Sequence, residues 1–121
     1  MRYLMLFRPA DTTQFEAGVP PSPEMIQRMG GLIQQKFAEG KLLSTEGCGP
    51  TSQGALVTLN KGKLGIIDGP FTEAKEIIGG FALFNLKSKQ EAIAEAREFL
   101  EVAGEGTVEI RPIFEEPNHV S

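Results

Sequence analysis

The sequence has few of the residues that bind metals or attack substrates. Its 121 residues include one cysteine, Cys48, and one histidine, His119. A lone cysteine cannot form a disulfide within the chain, and the two residues together fall short of the four ligands of a structural zinc site. Without a well-placed histidine, neither a Ser-His-Asp nor a Cys-His arrangement can form. No dinucleotide-binding glycine string or P-loop occurs either, so we expect no metal and no cofactor.

Positive charge and long apolar runs are also scarce. Twelve Lys and Arg residues are outnumbered by sixteen Asp and Glu residues, which gives a net charge of −4. Binding to nucleic acid needs a cationic surface, so we exclude it as the main partner. The N-terminal apolar run ends at Phe7, and no run approaches the roughly 18 apolar residues of a membrane span. We expect a cytoplasmic protein that contacts neither nucleic acid nor membrane.

The patterns that are present predict one domain over residues 1–121, with residues 115–121 as a tail. Helices are predicted from the Ser22-Pro23 cap to Gly40 and from the Ser88 capping box to Gly104. Residues 10–21 are predicted to form a loop. Strands are predicted at 3–7, 41–46, 55–59, 64–67, 77–86 and 108–113, the middle two forming a hairpin.

Two glycine pairs and one apolar stripe add local predictions. Gly30-Gly31 within the first helix suggests a close backbone approach or a kink, and Gly79-Gly80 suggests a bulge or a close approach. Helical spacing predicts one core-facing stripe on the first helix. Its members are Met25, Ile26, Met29, Leu32, Ile33 and Phe37.

The order of elements is β-α-β, a hairpin, then β-α-β. It predicts an α+β fold in which two helices cover one face of an antiparallel sheet, with the hairpin inserted. Residues 3–7 and 81–86 are apolar on both faces of their strands, so the open face of the sheet needs a cover. A second copy of the chain is the expected cover, which predicts a homodimer through that face.

Residues 67–76, which read IDGPFTEAKE, contain the most distinctive string of the chain. Asp68 follows a strand of isoleucines; it either bonds its own backbone in a turn or serves a cleft as acid or base. Gly69 would allow a positive φ in that turn. Phe71 either anchors the turn or lines a pocket. Thr72 is predicted to cap a short helical turn. If the segment is extended instead, Lys75 and Glu76 lie on opposite faces, and one of the two reaches inward.

Further polar residues lie at strand ends. Glu46 ends the second predicted strand, and Arg111 shares a face of the last strand with Glu109. Arg111 either clamps a carboxylate ligand or forms a surface ion pair. Tyr3, the only tyrosine, either supplies a hydroxyl to a cleft or lies in the core or an interface. Cys48, between two glycines with no visible base nearby, is interpreted as an inert small residue.

Three strings together resemble one protein family. The run DGPFTEAKE, the following IIGGF and the late VEIRPI resemble the DGPF-domain group of the YCII-related family. The initial MRYLMLF and the central PTSQGA fit the same group, so the resemblance covers nearly the whole chain. It implies a ferredoxin-like α+β fold that dimerises as an α/β barrel.

The resemblance implies no single reaction. Relatives include a dehydrochlorinase-like enzyme of aromatic degradation, and some DGPF proteins are encoded beside, or fused to, extracytoplasmic-function sigma factors. Other YCII relatives carry a His–Asp pair proposed as catalytic. This sequence departs from that pattern, because His119 lies in the tail and no histidine is near the first helix.

Two hypotheses of function follow. In the first, the protein binds or converts a small organic molecule, without a metal, in a cleft near the Asp-Gly-Pro-Phe turn. Asp68 is then the acid or base, Arg111 or Lys75 steers an anion, and Glu46, Phe71 and Tyr3 complete the cleft. In the second, it is a non-catalytic dimeric regulatory module associated with an extracytoplasmic-function sigma factor.

Overall fold

The structure, a computed structural model, describes residues 1–115. Within that range the chain forms three α-helices and six strands. The helices are α1 (Thr12–Glu16), α2 (Pro23–Ala38) and α3 (Lys89–Ala103). The strands are β1 (Arg2–Pro9), β2 (Leu42–Gly47), β3 (Ala55–Asn60), β4 (Lys63–Asp68), β5 (Gly80–Asn85) and β6 (Gly106–Pro112). Beyond Glu115, the predicted tail and His119 lie outside the described residues.

Four strands form one antiparallel sheet in the order β2-β5-β1-β6, and β3 pairs only with β4 in a second sheet of two strands. The four-stranded order is that of a ferredoxin-like βαββαβ unit, with the β3–β4 hairpin inserted between β2 and β5. The hairpin turns at Lys61 and Gly62, which both have positive φ. The predicted α+β fold with an inserted hairpin is confirmed.

The predicted helix caps are confirmed at both long helices. The Ser22 hydroxyl accepts a hydrogen bond of 3.1 Å from the Met25 N–H, and Pro23 occupies the first turn of α2. The Ser88 hydroxyl accepts one of 3.2 Å from the Glu91 N–H at the start of α3. Gly104 ends α3 with φ +95°, a conformation that favours glycine. Local chemistry therefore sets these boundaries.

The core lies between the sheet and the two long helices. Alternate residues of β1 and β5, namely Tyr3, Met5 and Phe84, turn toward the helices and are buried. The buried core cluster is Tyr3, Met5, Leu42, Phe84, Leu86, Ala92 and Ala96. On the opposite face of the sheet, Leu4 and Leu6 of β1 lie half-buried in the single chain.

The predicted stripe of α2 is wrong at two of its six positions. Ile26 and Phe37 are exposed, whereas Lys36 is only 6% exposed. The other four stripe residues are half-buried. The inward face of α2 is therefore rotated from the predicted one and includes Lys36. This lysine can be buried because its charged partners on α3, Glu95 and Glu98, lie opposite it.

Three further predictions, two for loops and one for a strand, need correction. The 10–21 loop contains α1, which begins where the Asp11 carboxylate accepts a hydrogen bond of 3.1 Å from the Gln14 N–H. The short helical turn is a 3-10 turn at Ala74–Glu76, and no side chain caps it, so Thr72 is not its cap. The strand predicted at 77–86 begins only at Gly80.

None of the helices within residues 1–115 combines the length and the apolar character of a membrane-spanning helix.

The two glycine pairs have opposite outcomes. A Cβ at Gly80 would lie 2.9 Å from the Glu46 carbonyl oxygen, and one at Gly79 would lie 3.1 Å from the Phe7 ring. Both contacts confirm the predicted close approach between β5 and its neighbours. A Cβ at Gly30 or Gly31 would meet nothing within 4 Å, so a close approach within the described chain does not explain that pair.

Candidate functional site

A cavity of about 480 Å³ separates α2 from the sheet. Its floor consists of sheet residues that turn toward the helices, and its roof consists of the inward face of α2 with part of α3. The lining is mainly apolar. It includes Met5, Phe7, Met25, Met29, Leu32, Ile33, Ala82, Phe84, Phe99 and Val108. The cavity forms because the residues of β5 below α2 include small ones, such as Gly80 and Ala82. They leave space that the methionine and aliphatic side chains of α2 do not fill.

A buried ion pair forms part of the cavity wall. The Lys36 ammonium lies 3.0 Å from a carboxylate oxygen of Glu95 and 3.0 Å from one of Glu98. Lys41 approaches Glu95 to 3.4 Å from the other side. Lys36 and Glu95 are only 6% and 7% exposed, and both line the cavity. Opposite charges from α2 and α3 thus meet at the edge of an apolar space.

The pKa of Lys36 reflects two opposing effects. Burial lowers it, but hydrogen bonds and charge attraction from Glu98 and Glu95 raise it more, so the net pKa lies above its ordinary value. An ammonium in this position keeps its proton at neutral pH and is a poor nucleophile. The pair therefore presents a fixed charge arrangement to the cavity.

Glu46 and Thr45 of β2 lie at the rim of the same cavity. The Thr45 hydroxyl donates a 2.8 Å hydrogen bond to the Phe81 carbonyl oxygen. Glu46 pairs with Phe81 across β2 and β5, so its exposed side chain turns to the opposite face of the sheet. The charged side chains of the cavity wall are then Lys36 and Glu95.

Of the six site residues predicted from the sequence, Glu46 lines this cavity, and the other five do not. Asp68 ends β4, is exposed, and makes no side-chain hydrogen bond or ion pair within residues 1–115. Tyr3 is buried, and its hydroxyl donates to the Met1 sulfur at 3.3 Å. The structure therefore does not bring the six into one cleft, and their roles stay predictions.

Arg111 and Lys75 lie outside the cavity, in two exposed ionic contacts. Arg111 donates a 3.2 Å hydrogen bond to Glu109, and Arg8 donates one of 2.9 Å to the same carboxylate. These bonds, first that from Arg111 and then that from Arg8, hold the pKa of Glu109 below its ordinary value. The Lys75 ammonium lies 3.2 Å from Glu73, where both side chains are exposed.

The Asp-Gly-Pro-Phe turn fixes the base of the β3–β4 hairpin, which we call the arm (residues 55–68). A Cβ at Gly69 would lie 1.7 Å from the Thr51 carbonyl oxygen, so no side chain fits there. The φ angle of Gly69 is not positive, in contrast to the expectation for this turn. The Gly69-Pro70 peptide bond is cis. Close backbone contact, rather than turn conformation, requires this glycine.

A small hydrogen-bonded hub connects this turn to the body of the protein. The Glu16 carboxylate of α1 accepts hydrogen bonds from the Thr51 N–H, at 2.9 Å, and from the Thr51 hydroxyl. The Thr51 hydroxyl in turn accepts a 2.9 Å bond from the Phe71 N–H. Phe71 is half-buried beside Gly54, which supports the anchoring interpretation of Phe71 and places it outside the cavity.

Sequence reasoning missed Lys36 and Glu95, the two buried charges. Lys36 follows Leu32 and Ile33 at helical spacing, and Glu95 lies three residues after Ala92 on α3. Opposite charges that interrupt two core-facing stripes indicate an ion pair between helices, and this signal was available. Glu16 and Thr51 gave no comparable signal, since they are far apart in sequence and their contact depends on the folded loops.

No group of three or more His, Cys, Asp or Glu side chains within residues 1–115 is arranged to hold a metal ion. Cys48 is exposed, and its backbone N–H donates a 2.9 Å hydrogen bond to the Gly79 carbonyl oxygen. The backbone of Cys48 therefore helps to hold β2 near β5, and its thiol lines neither the cavity nor the hub.

Comparison with known proteins shows which sequences this chain is similar to. The model of the YCII-related domain family matches residues 1–117. An uncharacterised protein of Rhizobium meliloti (strain 1021) is 34% identical over 92 residues, which cover 74% of this chain and 74% of that protein. The relative adds no activity.

Proposed function

The chain belongs to the YCII-related domain family, and from that premise we propose that it binds a small, mainly apolar organic molecule between α2 and the sheet. The observation that carries this proposal is the cavity of about 480 Å³ with its apolar lining and single buried ion pair. Small-molecule sites typically measure about 300–1,000 Å³ and combine apolar walls with a few placed polar groups. The cavity meets both conditions.

The charges of the lining select the class of ligand. Lys36 is already paired with two carboxylates, those of Glu95 and Glu98. A ligand carboxylate would lie near the buried Glu95 carboxylate, in surroundings of low dielectric constant where repulsion is strong. The ligand is therefore neutral or cationic. This replaces the steering of an anion by Arg111 or Lys75, which lie outside the cavity.

Binding fits the cavity better than covalent chemistry does. The raised pKa of Lys36 keeps it as an ammonium, which does not form a Schiff base readily. Asp68, the acid or base expected from the sequence, does not line the cavity. If the ligand is converted, Glu95 is the carboxylate within the cavity that would exchange a proton with it. The proposal requires neither metal nor cofactor.

The test uses three probes of one chain length and different charge: octanol, octylamine and octanoate. We expect octanol and octylamine to bind the wild-type protein, with chemical-shift changes at Met29 and Ala82, and octanoate to bind at least about tenfold more weakly. Ala82→Leu fills the floor of the cavity and should weaken binding by about tenfold or more. Ala94→Leu, the same change at an exposed position of α3, should have no effect.

Two results would contradict the proposal in different ways. Unchanged binding in Ala82→Leu would place the ligand elsewhere. Octanoate binding as tightly as octanol would keep the site and reject the charge selection. The two parts of the proposal are thus tested separately.

We also propose that the chain is a DGPF-group member that forms a homodimer through the open face of its sheet. Leu4, Leu6, Phe81 and Leu83 alternate with the core-facing residues of β1 and β5 and therefore point to that face. Each is half-buried in the single chain. A neighbouring sheet face would complete their burial, as in other two-layer folds.

A second candidate function is the non-catalytic dimeric module that regulates an extracytoplasmic-function sigma factor. Four apolar side chains of the arm are 69% exposed or more, and exposed apolar patches mark interaction sites, so the arm favours a contact with another protein. Co-purification of the wild-type chain with a sigma factor, retained in Ala82→Leu, would favour this candidate over ligand binding. Failure to co-purify would reject it.

A further inference from the structure

The arm carries a continuous apolar face that the described chain leaves uncovered. Val57 pairs with Ile66 and Leu59 pairs with Leu64 across the two strands, so all four side chains share one face. Their exposed fractions range from 69% for Val57 to 76% for Leu64. They offer roughly 500 Å² of apolar surface, close to the size of the largest patches on soluble monomers, which are often functional.

The arm is held in a fixed position although its apolar face is uncovered. The Gly69 N–H donates a 3.1 Å hydrogen bond to the Gly54 carbonyl oxygen at its base, and the Glu16–Thr51–Phe71 hub joins that base to α1. A two-stranded hairpin alone is marginally stable in water and needs a further layer against its apolar face. A fixed base with an uncovered face indicates that the missing layer is supplied from outside residues 1–115.

Charge distinguishes the arm from the rest of the molecule. Lys61, Lys63 and Asp68 give the arm a net charge of +1, while the whole chain has −4, which leaves −5 on the remaining residues. Two arms placed face to face would bring like charges together. An arm placed on the acidic body of another copy brings opposite charges together.

The area of the open sheet face supports the same partner. A stable interface buries roughly 800 Å² on each partner. The four apolar side chains of the open face are already half-buried in the single chain, whereas four on the arm are 69% exposed or more. The arm therefore has more apolar surface left to contribute to such an interface.

We propose that the apolar face of the arm is an interface with a second copy of this chain, each arm lying against the body of the other copy. The contact is reciprocal, so the assembly closes as a two-fold dimer. This inference rests on the proposed homodimer and is independent of the proposed ligand. The Asp-Gly-Pro-Phe turn then fixes the orientation of the arm relative to the partner.

The test measures the dimer dissociation constant by sedimentation equilibrium. The main variant is Val57→Lys combined with Ile66→Glu, which removes apolar surface and keeps an attractive pair across the hairpin. We expect dimerisation to weaken by roughly a hundredfold or more. The control is Thr58→Lys, an equal charge on the opposite face of β3, which should leave the dissociation constant within about threefold of wild type.

A second variant does not depend on the apolar face. Lys61→Glu with Lys63→Glu reverses the charge at the tip of the arm, and we expect roughly tenfold weaker dimerisation. In the wild type, added salt should weaken the dimer, and in this variant that salt effect should shrink or reverse. Circular dichroism confirms that each variant is folded.

Three results would overturn the inference. A monomeric wild type at micromolar concentration would reject the dimer itself. A dimer of unchanged affinity in the Val57→Lys/Ile66→Glu variant would keep the dimer and exclude the arm from it. Equal weakening by Thr58→Lys would show that the apolar face has no special part. Octanol binding, measured on the same samples, should be unaffected by every arm variant.

Discussion

The cavity and the arm both leave apolar side chains without a closely packed neighbour, in opposite shapes. In the cavity, methionines and aliphatic residues surround a concave space of about 480 Å³. On the arm, Val57, Leu59, Leu64 and Ile66 form a convex strand face. A concave apolar space encloses a small molecule, whereas a strand face needs a broad opposing surface. Shape, rather than composition, is the basis for proposing a ligand site in one region and a protein interface in the other.

The two regions are also held by different interactions. The helices that cover the cavity are joined by the buried pair of Lys36 and Glu95. The arm is held by close backbone contact at Gly69 and by the hub of Glu16 and Thr51. The cavity therefore depends on an ion pair, and the position of the arm depends on a residue without a side chain. Each can be changed by a substitution that leaves the other region intact.

The largest expected effect is at the cavity wall. Lys36→Ala leaves the Glu95 carboxylate buried with only Lys41 nearby, and we expect a loss of about 3 kcal/mol in the free energy of unfolding, measured with urea. Exposed Lys89→Ala should cost less than about 0.5 kcal/mol. Replacing both Lys36 and Glu95 by Met should cost less than Lys36→Ala alone, because no buried charge is then left unpaired. Equal losses for Lys36→Ala and Lys89→Ala would contradict the buried pair.

The next effect is at the base of the arm. Gly69→Ala would place a methyl group against the Thr51 carbonyl oxygen, and we expect a loss of about 2 kcal/mol, with faster hydrogen exchange in β3 and β4 but not in α3. The control is Gly31→Ala, where a Cβ meets nothing within 4 Å. It should stabilise α2 by up to about 1 kcal/mol. Unchanged exchange in the arm of Gly69→Ala would show that the turn does not fix the arm.

The smallest effect concerns pH and the ion pairs of Glu109 with Arg8 and Arg111. The folded pKa of Glu109 lies below its ordinary value, so its stabilisation is present above about pH 4.3 and is lost as pH falls through the folded pKa. The pKa of Lys36 is raised, so its stabilisation is lost only as pH rises beyond about 10.4. When the urea midpoint of unfolding is measured from neutral to acid pH, its decrease should be slightly smaller in Glu109→Gln than in the wild type. Glu101→Gln should show the same decrease as the wild type. A larger decrease in Glu109→Gln would contradict the assignment.

The regular elements could be predicted because their signals are local. Ser22 and Ser88 cap helices through hydrogen bonds to residues three positions on, and the hairpin turns at Lys61-Gly62 next to strands of alternating pattern. Gly79-Gly80 suggests a bulge or a close approach, and the structure shows a close approach. Strand order then follows from a small set of connections between these elements.

The candidate site could be predicted only in part. Glu46 lines the cavity, but Asp68 and Phe71 belong to the base of the arm instead. The sequence shows that polar residues lie at strand ends, but it does not show which ends share a space. Lys36 and Glu95 are 59 residues apart, so their pairing depends on how two helices pack.

The sequence by itself determined the αβ order, the helix caps, the hairpin and the family, because each depends on neighbouring residues or on a string of fixed spacing. The tertiary structure decided where α2 lies above the sheet, which charges it buries, and where the arm points. Those results depend on contacts between residues distant in the chain. The Asp-Gly-Pro-Phe string shows the division: its sequence indicates a turn, and its position in the fold makes that turn the base of the arm.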